Sequence, residues 1–102
     1  MTITVIATSQ LKESSPVSIR STPLLEAQNI RSLLLNLNTG QAVPPCKMSV
    51  TVLYYVIEGH GTIRVESEQA ELDAGSLVIV PAEATRSIAA VECMRILAVQ
   101  AL

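Results

Sequence analysis

The stretch from Gly40 to Gly61, GQAVPPCKMSVTVLYYVIEGHG, restricts the fold of this chain more than any other. Pro44 and Pro45 lack the backbone N–H that a central ladder position must donate, so they mark a corner. From Cys46 to Ile57 the chain is rich in β-branched residues, which predicts a long strand or a bent pair of strands. Alternation puts Cys46, Met48, Val50, Val52, Tyr54 and Val56 on one face. Ser49, Thr51, Leu53, Tyr55 and Ile57 take the other. Glu58-Gly59-His60-Gly61 then reads as a hairpin turn, with Thr62 to Glu66 returning as its second strand.

The rest of the chain follows the same pattern. Thr2 to Ala7 is a short β-branched run and a predicted strand. Ser9 to Pro23 carries Ser, Thr and two prolines without periodicity, and reads as extended connection, with a short edge strand possible over Val17 to Arg20. Leu24 to Asn29 suits one helical turn, too short to stand alone. Ile30 to Leu37 reads as a strand, because Asn36, Asn38 and Gly40 end the apolar run too soon for a buried helix. Asn38-Thr39-Gly40 is a turn. Ser67-Glu68, Asp73-Ala74-Gly75 and Pro81 to Ala84 supply further turns, and between them lie strands over Gln69 to Leu72, Leu77 to Val80, Arg86 to Ala90 and Cys93 to Val99. Many short strands with turn signals between them predict an all-β sandwich or barrel.

Composition narrows the function by exclusion. At 102 residues the chain makes one domain, residues 1–102, with one modest core. Hydrophobic residues reach 49% and charged residues only 16%, which suggests that a partner subunit covers some surface. With no Phe or Trp, the core must be built from Val, Ile, Leu, Ala and Met. Net charge is −2, with neither a basic patch nor an aromatic ladder for nucleic acid. No apolar run approaches the ~20 residues of a membrane helix, and the N-terminus lacks the pattern of a secretory signal. Cys46 and Cys93 read as two buried thiols of a cytoplasmic protein.

From Gly40 onward the sequence resembles the cupins, specifically the small single-domain RmlC-like kind. The family's first motif runs from a glycine through two histidines and a glutamate to a closing glycine; here Gly40, Cys46, Met48, Val52 and Gly59 stand in those places. Its second motif carries a glycine, a proline, a glycine, a histidine and an asparagine; here they are Gly75, Pro81, Glu83, Arg86 and Ala90. The resemblance implies a double-stranded β-helix, or jelly-roll barrel, over residues 30–102. Motif one would span 40–59 and motif two 75–90, with residues 1–29 forming an N-terminal strand and arm. It also implies a homodimer, as in small cupins.

The family's metal ligands do not carry over. Val52 has no donor atom, and Arg86 carries a permanent positive charge that repels a cation. The expectation is a protein without a metal cofactor, binding a small molecule in an apolar pocket. Met48, Val50, Val52, Tyr54 and Ile88 would line it, and Cys46 and Arg86 would be its polar features. An inward Arg86 needs an anion, so a ligand with an apolar body and one anionic group fits best. Two other readings stand beside this one. Cys46 and Met48 could offer a thiol or a soft-donor site for copper in a cupin enzyme. Alternatively, side chains could fill the barrel of a structural or regulatory domain. His60, the one histidine, is read as a surface turn residue, and Glu66, Glu68, Glu71 and Asp73 as a solvated edge.

Overall fold

The computed structural model describes residues 3–11 and 19–102. Among them it contains one short 3-10 turn, Thr8–Gln10, and nine strands. These are β1 (Arg20–Glu26), β2 (Ile30–Leu37), β3 (Ala42–Cys46), β4 (Thr51–Glu58), β5 (His60–Val65), β6 (Glu68–Asp73), β7 (Leu77–Val80), β8 (Arg86–Ala90) and β9 (Met94–Ala101). They form a five-stranded sheet in the order β1-β2-β9-β4-β7 and a four-stranded sheet in the order β3-β8-β5-β6. Every pairing is antiparallel. From β2 to β5, and again from β6 to β9, each strand lies in the sheet opposite its predecessor. This double winding is the expected jelly-roll barrel.

Period-two patterning builds the core. Val52, Tyr54 and Val56 of β4 face inward beside Met94, Ile96 and Ala98 of β9. Ile63 of β5 and Ile88 of β8 meet them from the other sheet. Each fully buried aliphatic side chain of this kind is worth about 1.5–3 kcal/mol.

Three sequence expectations are corrected, and the choice between a long strand and a bent pair over Cys46 to Ile57 is settled. Leu24 and Leu25 belong to β1, where the ladder to β2 overrides a weak local helical preference. Among the described residues Ile3–Ala7 pairs with no strand, while Thr2, Val17 and Ser18 lie outside them. Cys46 and Val52 sit on separate strands, because Pro44 and Pro45 run in β3 at a sheet edge and the chain breaks pairing between Cys46 and Thr51. Glu58 to Gly61 is not a hairpin turn: β4 pairs with β7 and β9, and β5 pairs with β6 and β8. Gly59 instead carries the chain from one sheet to the other at φ 96°, so close to the Cys93 carbonyl that no Cβ would fit.

The N-terminal arm crosses the outer face of the five-stranded sheet. Asn36 and Arg95 point outward there, yet both are buried. Asn36 Nδ2 donates to the Leu11 carbonyl at 2.8 Å, and an Arg95 guanidinium N–H donates to the Thr8 carbonyl.

Candidate functional site

Arg86 opens β8 directly after the Pro81–Ala84 corner. That corner holds Glu83 at φ 70° and ties its N–H to the Met48 carbonyl at 2.7 Å. Arg86 therefore starts its strand facing inward, and it is only 2% exposed. Tyr54 faces it from the middle of β4. Arg86 Nε donates to the Tyr54 hydroxyl at 3.1 Å, and the guanidinium carbon lies 5.9 Å from the ring centroid, within reach of a cation–π contact. Burial pushes the Tyr54 phenol above its ordinary range, partly opposed by the Arg86 charge and hydrogen bond. Tyr54 is thus protonated at neutral pH, and its O–H remains a donor after accepting from Arg86.

The pair leaves charge and hydrogen-bonding capacity unspent. Arg86 Nη1 is buried with no hydrogen-bond partner. The ion pairs between described residues are His60–Asp73 and Arg95–Glu58, and neither involves Arg86. A second polar side chain lies on the same interior. Gln100 of β9 is opposite Val52 of β4, two residues from Tyr54, and it is 7% exposed. Its Nε2 donates to the Met48 sulfur at 3.5 Å, and its Oε1 has no partner.

A cleft lies one strand away from this pair. β6 and β7 are edge strands of different sheets, and the gap between them opens a space of about 460 Å³. Its apolar walls include Ile63, Val65, Val78, Pro81 and Ala84, with Glu66 and Glu68 at the rim. Val65 is the ladder partner of Arg86, and Val78 is the ladder partner of Tyr54. The Arg86–Tyr54 pair therefore lies one strand, roughly 4.8 Å, behind the cleft walls on both sheets.

The structure places the sequence candidates as follows. Val52, Tyr54, Arg86 and Ile88 are buried in the interior. Met48 and Val50 are half-buried and pack against the core. Cys46 is exposed, as is Cys93, which corrects the expectation of two buried thiols. The reason is the irregular pairing between Val43 and Cys46, which turns Cys46 to the rim although Arg86 is its ladder partner. His60 lies on β5 rather than in a turn, with Nδ1 2.6 Å from Asp73 Oδ1. Gln100 and the cleft were not anticipated. Gln100 was in principle visible, as a polar residue on the inward parity of MRILAVQA. The cleft was not, because it depends on how far apart two sheet edges end.

The side chains at the family's ligand positions do not fit a divalent cation. Val52 has no donor, Arg86 brings a positive charge, Cys46 is exposed beside that charge as its ladder partner, and Met48's sulfur already accepts from Gln100. Among the described residues, no three His, Cys, Asp or Glu side chains come together in a way that could hold a metal ion. Among the described residues, no helix is long and apolar enough to cross a membrane.

Neither a family model nor a curated protein matches this sequence. Solved structures match it closely in shape. A protein of unknown function from Streptococcus pyogenes superposes with a TM-score of 0.86 at 19% identity, covering 99% of this chain and 89% of that one. A cupin superfamily protein from Desulfitobacterium hafniense gives a TM-score of 0.86 at 19% identity over 92% of this chain and 86% of its own. A double-stranded β-helix protein from Klebsiella pneumoniae gives 0.87 at 15% identity, covering 95% and 88%. Strand order, double winding and these superpositions agree: the chain is a small cupin-fold domain, a double-stranded β-helix barrel.

Proposed function

We propose that this chain is a metal-free, small-molecule-binding cupin-fold domain whose ligand has an apolar body and one anionic group. The observation that carries this reading is Arg86, a permanent cation 2% exposed, with Nη1 unpartnered and no ion pair to a described carboxylate. Leaving such a charge uncompensated costs several kcal/mol, which a bound anion offsets. In this reading the apolar body occupies the cleft beside Val65 and Val78, and the anionic group accepts from Arg86 Nη1 and the Tyr54 hydroxyl. The cleft volume of about 460 Å³ is that of an ordinary small-molecule site. Titration calorimetry with benzoate, hexanoate and inorganic phosphate tests it. The carboxylates should bind the wild type and fail to bind Arg86→Met. If they bind neither protein, the anion-binding reading fails.

A second copy of the chain is the proposed partner. On the outer face of the five-stranded sheet, Leu77, Tyr55 and Leu97 form one cross-strand row, and Ile79, Leu53 and Val99 form the next. Leu77 and Ile79 are 60% and 64% exposed, and Ile3 and Val5 of the arm are more exposed still. A dimer covering these rows removes a contiguous apolar patch from water. Light scattering at micromolar concentration should return twice the mass of one chain; a monomer mass sinks the proposal.

A further inference from the structure

We infer that the ligand of this barrel carries a hydrogen-bond donor, an O–H or N–H, placed apart from its anionic group so that it reaches Gln100 Oε1. The inference rests on the binding site proposed around Arg86 and adds a second recognition point to it.

Two of the buried side-chain atoms left without partners are complementary in kind. Arg86 Nη1 is a donor and Gln100 Oε1 is an acceptor. Both residues are more than nine-tenths buried, at 2% and 7% exposure, and both lie on inward faces of the barrel. The ladder relates their positions. Gln100 is directly across from Val52, while Tyr54, which holds Arg86 Nε, is the next inward residue along β4. Adjacent inward residues on a strand are roughly 6.7 Å apart. The two residues are thus tied to neighbouring inward positions of one strand, on the scale of a small ligand.

The amide of Gln100 presents its oxygen as the open acceptor. Its Nε2 is committed to the Met48 sulfur, so the oxygen is the atom left free. Met48 is half-buried in the unpaired segment between β3 and β4, where its flexible side chain can yield to a ligand. A purely apolar acid would leave Gln100 Oε1 unsatisfied. A hydroxy acid or an amide-bearing acid satisfies it, and this is how a buried polar group produces selectivity for a donor.

The test compares benzoate with meta- and para-hydroxybenzoate, and hexanoate with a terminally hydroxylated hexanoate, by titration calorimetry on the wild type, Gln100→Leu and Gln100→Met. At least one hydroxylated acid should bind the wild type about tenfold more tightly than its parent. Both Gln100 variants should abolish that preference while the parent acid still binds in an Arg86-dependent way. Retained thermal unfolding establishes that a variant is folded, and the wild-type comparison needs no variant. Parent acids that bind in an Arg86-dependent way, with no hydroxyl preference or with one that survives in Gln100→Leu, overturn this inference and leave the anion site standing. Absence of binding by every acid overturns both.

Discussion

Asn36 and Arg95 sit directly across from each other in the β2–β9 ladder, on the face away from the core, and both are buried beneath the N-terminal arm. Each donates to a backbone carbonyl of that arm, Asn36 to Leu11 and Arg95 to Thr8, while Arg95 Nε also donates to Glu58 Oε1 at 2.7 Å. Two polar side chains on the outside of a sheet thus fasten the arm at Thr8 and Leu11. Asn36→Ala should destabilise the protein by about 1 kcal/mol and Arg95→Ala by about 2 kcal/mol, because hydrogen bonds to charged groups are the stronger kind. Urea unfolding measures both. Limited proteolysis should show faster cleavage near Thr8 in the Arg95 variant, and unchanged cleavage there would show that the arm is held by something else.

Arg86 and Tyr54 predict opposite effects on stability. Tyr54→Phe removes the acceptor for Arg86 Nε and should cost about 1–3 kcal/mol. Arg86→Met removes a buried charge that lacks an ion-pair partner and should be neutral or stabilising in the absence of ligand. A gain of about 1 kcal/mol would raise the melting temperature by about 4–8 °C in a domain near this size. A marked loss of stability in Arg86→Met would mean that the guanidinium is satisfied within the protein.

His60 and Asp73 set a pH dependence on the outside of the β5–β6 ladder. The hydrogen bond to Asp73 raises the His60 pKa above its ordinary 6.5, with nearby Glu71 and Glu92 adding to the effect. The folded-state value is then the higher one, so the contribution to stability is full below the unfolded value. It disappears as pH rises through the folded value. Stability should fall slightly from mildly acidic pH to above neutrality, and Asp73→Asn should flatten that slope. Proton NMR of the imidazole checks the elevated pKa directly.

Gly59 and Gly40 both take positive φ, at 96° and 84°, but only one is enclosed. A Cβ on Gly40 meets nothing within 4 Å, whereas one on Gly59 collides with backbone at Cys93 and Met94. Gly40→Ala should therefore cost about 1–2 kcal/mol, the strain of the left-handed conformation alone. Gly59→Ala should cost at least about 4 kcal/mol, since β4 and the start of β9 would have to separate. Equal costs in chemical denaturation would contradict this distinction.

The sequence by itself determined what depends on neighbours a few residues apart. Turns at Asn38–Gly40, Asp73–Gly75 and Pro81–Ala84, and the inward parity of Val52, Tyr54 and Val56, were legible because turn chemistry and period-two patterning are local. Arg86 was legible as an inward cation only through its place in a motif that resembles the cupins. The tertiary structure alone decided what depends on pairing between distant segments. It made Leu24 and Leu25 part of a strand, made Gly59 a passage between sheets, and left Cys46 exposed. It also brought Gln100, from the last strand, onto the interior that holds Arg86 and Tyr54, and left an opening between β6 and β7 behind which that pair lies. Such relationships rest on ladder register across dozens of residues, and no local preference encodes them.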